Sequence, residues 1–270
     1  MCADDYGISE SVDVAIRDLV VRGRLNATSA MMVARSLQRA EATALDQLNA
    51  NARRVAIGLH VTLTAPFRPA TSGFAPLQEG RFPSLTTMLR LACLRRLRLH
   101  ALAAEVAEQL RLFTEIFGRP PDFIDGHQHV HLFPQIRDAV LNAAREHAPD
   151  AWVRQCGRVL PMGQRFHDRK GLLLDVLSHG FHRRADALGV RSNPGFAGTY
   201  SFGGDAKFAD LFPRFLQGLP DGSVVMCHPG FVDDELRSLD PLTSEREREF
   251  AYFADDGFPV VLEKNGVELA

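Results

Sequence analysis

The sequence lacks long apolar runs, a leader-like start and a surplus of charge of either sign. Its 270 residues include 31 lysines and arginines against 33 aspartates and glutamates, a net charge of −2. This balance argues against a nucleic-acid or membrane partner recruited by net charge. No apolar run approaches the roughly 18 residues that cross a bilayer, and the first residues do not have the basic and apolar regions of a signal peptide. We therefore expect a cytoplasmic protein with no integral membrane association and no nucleic-acid partner.

Cysteine is scarce, and no C-x-x-C pair is present. The four cysteines are Cys2, Cys93, Cys156 and Cys227. They are scattered through a chain too long to depend on disulfide staples, so we expect reduced thiols packed as small apolar groups. The 46% hydrophobic content excludes a mainly disordered protein. Because there is no Gly/Ser linker, low-complexity tract or internal repeat, residues 1–270 are predicted to form a single domain, which is compatible with a homodimer.

Short β-type runs alternate with longer amphipathic stretches, the pattern of βα units around a parallel sheet. The predicted strands are Ala27–Val33, Val55–Leu63, Asp122–Gly126, Ala151–Arg154, Ala187–Arg191, Ser223–His228 and Phe258–Leu262. The predicted helices are Ser9–Val21, Leu37–Leu48, Thr86–Phe117, Gln135–His147, Lys207–Leu216 and Thr243–Phe253. With a short first strand ending at Ala3, the count reaches about eight strands, which favours an α/β fold of the irregular (β/α)-barrel type over an open doubly wound sheet.

Two segments between these elements have a distinctive composition. Pro66–Ser84 is rich in proline and glycine and has little periodicity, so it predicts a long loop at the end of the barrel where active sites lie. In Leu94–Leu99 (LRRLRL), arginine mixes with leucine. This mixture predicts the solvated and buried sides of an amphipathic helix rather than a membrane contact.

Histidines lie where several predicted strands end. The segment DGHQHVH, from Asp125 to His131, places an acid and three imidazoles at alternate positions. In an extended backbone these side chains would point to one face. Neutral imidazoles gathered on one face favour a metal site over surface or capping histidines.

Other polar residues also end predicted strands. The adjacent carboxylates of Asp4 and Asp5 repel each other unless a cation or a proton-transfer role compensates, although this pattern is also a common turn and helix cap. His60 and His228 each end an apolar run, where a lone histidine is more often hydrogen-bonded in the core. Polar residues at the carboxyl ends of parallel strands converge on one pocket, so we expect these side chains to lie together.

Four ordered motifs carry a family resemblance. They are ADDYG (Ala3–Gly7), GLHVTLT (Gly58–Thr64), DGHQHVHLFP (Asp125–Pro134) and CHPGF (Cys227–Phe231). Their order and spacing resemble the YdjC/ChbG family of carbohydrate deacetylases, including its hopanoid-associated branch. The resemblance spans nearly the whole chain and implies a distorted barrel similar to that of polysaccharide deacetylases.

The resemblance also implies one divalent metal ion, magnesium or zinc, and an N-acetylated sugar as substrate. By the motifs, Asp5, His60 and His127 would be the metal ligands. Asp4 would be the general base, and His228 would be the general acid. One carboxylate and two imidazoles leave open metal positions for a water and for the acetyl oxygen, which suits hydrolysis of an amide.

Further residues are candidates for supporting roles. Asp125, His129 and Arg154 would orient the ligands or the base, and His129 is an alternative to His127 as a ligand. Two aromatic residues of the run NPGFAGTYSF would either offer a face to a sugar ring or simply pack the loop. They are Phe196 and Tyr200.

Three other interpretations remain open at this stage. An amidohydrolase also uses His-x-His, but after its first strand, and a non-haem iron oxygenase also uses two histidines and a carboxylate, but on antiparallel folds. A metal-stabilised sugar-binding protein without catalysis is the third. Only Met1 and Cys2 precede ADDYG, so either the start lies upstream or the first strand is a stub.

Overall fold

The computed structural model describes residues 1–52, 54–159, 169–200 and 207–269. Within these ranges, seven parallel strands form one sheet in the order β5-β4-β3-β2-β1-β7-β6. The strands are β1 (Cys2–Tyr6), β2 (Ala27–Ala30), β3 (Ala56–Val61), β4 (Phe123–Gly126), β5 (Trp152–Val153), β6 (Phe196–Ala197) and β7 (Val224–Cys227). Every residue of β1, β4 and β7 is buried, as expected for a parallel sheet covered by helices.

The sheet curls so that its two edges approach each other. Parallel bridges join Val153 to Ser192 and Arg158 to Phe196, on the β5 and β6 sides. The Val153 N–H donates to the carbonyl of Arg191, at 2.9 Å. These bridges are isolated rather than continuous, so the structure confirms an irregular (β/α) barrel.

Helices connect and cover the strands. They are α1 (Glu10–Val21), α2 (Arg39–Asp46), α3 (Leu85–Cys93), α4 (Leu99–Phe117), α5 (Ile136–His147), α6 (Arg169–Leu188), α7 (Phe208–Phe215), α8 (Asp234–Leu239), α9 (Ser244–Ala254) and α10 (Phe258–Lys264). Short 3-10 turns follow α2 at Gln47–Asn49 and β4 at His127–Leu132. Within the described ranges, no helix is both long and apolar enough to span a membrane.

The helix signals of the sequence act where expected. The Ser9 hydroxyl caps α1 by accepting from the Val12 N–H at 3.5 Å. Gly118 ends α4 in the left-handed conformation, with φ of 71°, and its N–H donates to the carbonyl of Thr114. The predicted loop Pro66–Ser84 is also free of helix and strand.

The first strand is longer than predicted, because it does not end at Ala3. It continues through Asp4 and Asp5 to Tyr6. Asp5 has a positive φ of 69°, and the pairing register with β2 shifts between Ala3 and Tyr6. The acidic pair therefore belongs to the strand itself, at an irregularity that turns its backbone.

Two predicted strands are wrong. Phe258–Leu262 lies in helix α10, because its buried residues, Phe258 and Leu262, are four apart and Val260 between them is 44% exposed. Ala187–Arg191 contains the end of α6, where Gly189 adopts a φ of 68° and stops the helix. In the first case the apolar run was recognised but its period was misassigned. In the second case the helix ends at Leu188, and Val190 and Arg191 after it belong to no strand.

The helix prediction also needs correction. The predicted helix Thr86–Phe117 is two helices, α3 and α4, separated at LRRLRL, where Arg95 has a φ of 56°. The segment Leu94–Arg98 is therefore a loop rather than an amphipathic helix. Sequence reasoning also missed α6 and α8 entirely.

Gly58 leaves room for the ring of Phe123. A Cβ on Gly58 would lie 2.4 Å from a carbon of that ring, which stacks on Trp152 with centroids 4.6 Å apart. Since the ring has little room to retreat, we expect Gly58→Ala to cost about 1–3 kcal/mol of unfolding free energy. Thermal unfolding measures this. Gly73→Ala is the matched control, because a Cβ there meets nothing within 4 Å, and equal midpoints for the two variants would contradict the prediction.

Candidate metal centre and active site

Strand register brings the predicted residues to one edge of the sheet. His60 on β3 pairs with Asp125 on β4, and Ala3 on β1 pairs with Cys227 on β7. His228 therefore follows β7 at the level of Asp4. Because all these strands are parallel, their carboxyl ends meet at the same end of the barrel.

Three side chains converge most closely there. The possible ligand atoms of Asp5, His60 and His127 all lie within 4.8 Å of one another, and all three residues are buried. Asp5 Oδ1 is 2.8 Å from His127 Nδ1 and 3.1 Å from His60 Nε2. The two imidazole rings meet edge to face, with centroids 5.6 Å apart. One carboxylate oxygen and two ring nitrogens therefore face a common point.

The other ring nitrogen of His60, Nδ1, contacts polar side chains on the side away from Asp5. His60 Nδ1 lies 2.6 Å from Asp125 Oδ1 and 2.9 Å from Ser29 Oγ. A carboxylate on one nitrogen fixes the ring orientation and makes the other nitrogen a better ligand. Burial opposes a charge on His60, but Asp125 and Asp5 outweigh it and raise the pKa of His60 to about 10.

Arg154 links the base candidate to this arrangement. It is fully buried, and both of its terminal nitrogens donate to the Asp4 carboxylate at 2.8 Å. Its Nη2 is also 2.5 Å from Asp125 Oδ2. Cys2, Asp4 and Asp125 form a second group with metal-ligating atoms close together, but the guanidinium already supplies the cation that such a group needs.

A second buried guanidinium holds the other oxygen of the metal-ligand carboxylate. Arg246 of α9 donates to Asp5 Oδ2 at 2.6 Å and to Asp240 Oδ2 at 2.7 Å. Burial opposes ionisation of Asp5, but His127 and Arg246 hold its pKa well below the usual range. Asp5 thus presents one oxygen to the imidazoles and keeps the other fixed.

The charges at this site suit a cation. Three carboxylates, on Asp4, Asp5 and Asp125, are at most 2% exposed, and they face the two buried guanidinium groups of Arg154 and Arg246. A surplus of negative charge away from water is costly unless a positive charge offsets it. Two imidazoles and one carboxylate are also a usual donor set for a divalent transition metal. The residues present therefore fit the metal ion that the motifs imply.

Only the first histidine of DGHQHVH joins this group. The extended backbone predicted there is wrong, because Gln128 and His129 have φ of 54° and 59° and turn the chain into a 3-10 segment. His129 Nδ1 instead lies 3.5 Å from Cys156 Sγ, so the structure does not bring it into the ligand group as an alternative to His127.

The third histidine of the motif is a core residue. His131 is fully buried, and its Nε2 lies 2.8 Å from the carbonyl oxygen of Arg154. It packs so closely that a Cβ on Gly126 would lie 2.9 Å from its Nδ1. His131 therefore fixes the backbone of Arg154 and explains why a glycine precedes His127.

The candidate acid is positioned by α9. The backbone N–H of His228 donates to Glu249 Oε2 at 2.6 Å, and the hydroxyl of Tyr200 donates to Glu249 Oε1 at 2.6 Å. Glu249 is fully buried, and this burial raises the pKa of its carboxyl. The Gly230 N–H also donates to the carbonyl of Arg246, so the same helix fixes the loop after β7.

The two predicted sugar-facing aromatic residues are engaged in packing. Phe196 is fully buried and meets the His129 ring edge to face, so no face of Phe196 is left for a sugar. The Tyr200 ring lies against Phe208, with centroids 5.6 Å apart. Both positions favour the loop-packing interpretation. Phe202, in the same run, lies outside the described residues.

Sequence reasoning missed Arg246 and Glu249, which lie three apart on one face of α9. Their helix begins SEREREF, in which Glu247 and Arg248 are exposed and Glu245 is half-buried, whereas Arg246 and Glu249 are buried. Glu247 and Arg248 face solvent, as charged helix residues usually do, whereas the other two charges are buried and support the site. No spacing signal separates the buried charges from the exposed ones.

Known proteins resemble this chain in sequence and in fold. A family model described as YdjC-like protein matches residues 1–264. A chitooligosaccharide deacetylase from Escherichia fergusonii is 29% identical over 243 residues, which cover 87% of this chain and 82% of that protein. A crystal structure from Enterococcus faecalis, of a protein named for cellobiose-phosphate cleavage, has a TM-score of 0.77 at 20% identity and covers 100% of this chain and 95% of its own. The structural likeness shows a shared fold, and because the family model spans nearly the whole chain, this protein belongs to the YdjC-like family.

Proposed function

We propose that this protein is a metal-dependent carbohydrate N-deacetylase, which hydrolyses the acetamide of an N-acetylated amino sugar. The observation that carries the proposal is the convergence of Asp5, His60 and His127 within 4.8 Å, at the strand edge that also holds Asp4 and His228. Ligands, a base and an acid on one edge are the parts that amide hydrolysis needs. The name of the Escherichia fergusonii relative supports this choice of substrate class.

Asp5, His60 and His127 would hold the metal ion, and Asp125 would keep His60 oriented toward it. When bound, a divalent ion supplies Lewis acidity, which polarises the acetyl carbonyl and acidifies a water molecule. The imidazole ligands favour zinc on softness, whereas the family permits magnesium. Arg246 keeps Asp5 from rotating away, since it binds the oxygen that does not face the imidazoles.

Asp4 would accept the proton of the attacking water. Both oxygens of Asp4 are bonded to Arg154, so the carboxylate has one orientation, and its remaining lone pairs point away from the guanidinium. A base held in one orientation loses little entropy on reaching the transition state. As the water oxygen bonds to the acetyl carbon, its proton would pass to Asp4 and the π electrons of the carbonyl would move to its oxygen, to return when the carbon–nitrogen bond breaks.

His228 would protonate the amide nitrogen of the substrate in the last step. The carbon–nitrogen bond of an amide breaks readily only when the nitrogen is protonated as it leaves. His228 directly follows β7, the strand beside β1, so it would approach the substrate from the side opposite the β3 and β4 ligands. Its proton goes to the departing nitrogen, and the products are acetate and the free amino sugar.

The direct test is acetate release from an N-acetylated chito-oligosaccharide. We expect no turnover by protein stripped of metal with a chelator, and recovery when zinc or magnesium is restored. Metal analysis of protein purified without added metal identifies the resident ion. Absence of acetate release with either ion would instead support the metal-stabilised sugar-binding protein, and release only from amides without a sugar would support an amidohydrolase-type activity.

Two substitutions separate the base from a ligand. Asp4→Asn should lower kcat by about 10²–10⁴-fold, the usual contribution of a positioned general base, while metal content stays nearly unchanged. His127→Ala should lose both metal and turnover. Acetate release and metal content are measured on the same preparations, after thermal unfolding has verified folding. Equal loss of metal in the two variants would show that the roles of Asp4 and Asp5 are wrongly divided.

The third substitution tests the acid. His228→Gln should lower kcat by about 10²-fold or more, because the nitrogen then leaves without a positioned proton donor. Metal content should stay unchanged, since His228 is outside the ligand group. His147→Gln, an exposed histidine at the end of α5, is the matched control. Near-normal turnover per folded molecule in His228→Gln would assign this residue to the turn at Pro229 instead.

A further inference from the structure

Helix α4 carries two buried polar side chains that the proposed chemistry does not use. They are Glu105 and Gln109, which lie one helical turn apart and are both 0% exposed. The side-chain amide of Gln109 donates to Glu105 Oε1 at 2.9 Å. A buried carboxylate or amide costs free energy unless its hydrogen bonds are satisfied. The partners of these two residues therefore show which parts of the chain they fix.

Glu105 fixes the loop that follows β3. Its Oε1 accepts from the backbone N–H of Ala70, and its Oε2 accepts from the backbone N–H of Thr71, both at 2.9 Å. Oε2 also accepts from the Thr71 hydroxyl at 2.7 Å. Hydrogen bonds to an ionised carboxylate are stronger than those between neutral groups. One side chain of α4 thus binds two successive residues of the loop Pro66–Ser84.

Gln109 fixes the chain just before this loop. Its Oε1 accepts from the backbone N–H of Thr62 at 3.0 Å, and its Nε2 donates to the carbonyl of Thr62 at 2.9 Å. Thr62 directly follows β3 and lies two residues after His60. Glu105 and Gln109 together therefore join the segment from residue 62 to residue 71 to one helix of the barrel.

This segment reaches the metal centre through Phe67. The Phe67 ring is 5% exposed and meets the His127 ring edge to face, with centroids 5.7 Å apart. The Phe67 carbonyl accepts from the N–H of Phe82 at 2.9 Å, and its N–H donates to the carbonyl of Thr64 at 3.3 Å. These backbone bonds join the loop to itself, whereas the bonds of Glu105 join it to α4.

We propose that Glu105 is a positioning residue of the metal centre. By fixing the loop at Ala70 and Thr71, it keeps the Phe67 ring against His127 and so keeps that imidazole where a metal ion can bind it. The inference rests on the proposed function, which assigns His127 as a ligand. Asp125 orients His60 through a hydrogen bond, whereas Phe67 would orient His127 by packing. Groups that surround a ligand contribute about 10–100-fold to metal affinity.

The test measures zinc affinity by competition with a chromogenic chelator, on variants whose folding is verified by thermal unfolding. Glu105→Gln keeps the size of the side chain but turns an NH₂ group toward the N–H donors of the loop. It should bind zinc about 10-fold more weakly or worse. Thr71→Val removes only the hydroxyl donor and should weaken binding less, so it replaces Glu105→Gln if that variant does not fold.

A double variant shows whether Glu105 acts through the ring. Phe67→Ala alone should weaken zinc binding by a factor similar to that of Glu105→Gln. The two changes together should weaken it no further than the stronger single change, because both act on His127 through one contact. Factors that multiply in the double variant, or normal zinc affinity in Phe67→Ala, would overturn the proposal.

Trypsin reports the position of the loop without any measurement of activity. Arg81 is exposed, but Phe82 after it is fully buried, so the bond between them is protected while the loop is in place. Cleavage after Arg81 should be about 10-fold faster in Glu105→Gln, because proteolysis follows the population of the open form. Glu108→Gln is the matched control, since Glu108 lies on the same helix and binds only the exposed Arg111.

A second control separates positioning from stability. Phe117→Ala truncates a buried ring 12 residues further along α4, about 18 Å away. It should lower the thermal midpoint but leave zinc affinity nearly unchanged. Equal loss of zinc in Phe117→Ala, or normal zinc affinity in Glu105→Gln despite faster cleavage, would overturn the proposal. Loss of zinc as expected, in a protein that releases no acetate from any sugar, would contradict the proposed function and still support the role of Glu105.

Discussion

The burial of three carboxylates at one end of the sheet is the constraint on which the rest of the structure depends. Asp4, Asp5 and Asp125 lie where water cannot solvate them, and unpaired charges in such a place would cost several kcal/mol each. Arg154 and Arg246 offset most of that cost through bonds of 2.5–2.8 Å. Removing one partner of such a buried pair typically lowers the free energy of unfolding by about 3–5 kcal/mol. The residues that build the site therefore also stabilise the fold.

The ion pair between Arg154 and Asp4 requires a curved sheet. Arg154 follows β5 and Asp4 lies on β1, and three strands separate β5 from β1 in the sheet. In a flat sheet with strands about 4.8 Å apart, the two side chains could not meet. Their contact at 2.8 Å therefore crosses the interior of a curled sheet. The barrel interior is thus partly a polar network rather than layers of apolar side chains, and the same curvature brings the ligands together.

Site residues could be predicted from the sequence where their position follows from the order of the strands alone. Asp5 and His60 lie near the carboxyl ends of their strands, and His127 directly follows β4. Parallel strands bring such residues to one edge whatever the details of packing. His131 was not predictable in this way, because periodicity assumes extended backbone and the chain turns at Gln128. Arg246 was missed for a different reason, since burial of a charged helix residue depends on partners distant in sequence.

The same limit explains the errors in secondary structure. Phe258–Leu262 has the composition of a strand, yet it is a helix, because Phe258 and Leu262 pack on one side of it. A short apolar run is compatible with the two-residue period of a strand and with the 3.6-residue period of a helix. Which of the two forms depends on the part of the protein against which the run packs. LRRLRL is the opposite case: its pattern suits a helix, but Arg95 in left-handed conformation ends α3 and begins a loop. Tertiary packing, through Leu97 and Gln135, overrides the local preference there.

The three buried carboxylates outnumber the two buried guanidinium groups, and this excess of negative charge affects both the stability of the fold and the proposed chemistry. His60 has its pKa raised to about 10 because Asp125 and Asp5 favour a positive charge on the ring despite its burial. A metal ion would supply the same positive charge, and His60 must lose its second ring proton before that nitrogen can bind the metal. Because Asp5, His60 and His127 come from three separate strands, the unfolded chain does not assemble the site. An ion that binds only the folded arrangement stabilises it by mass action, so a donor set selected for catalysis would also strengthen the fold that builds it.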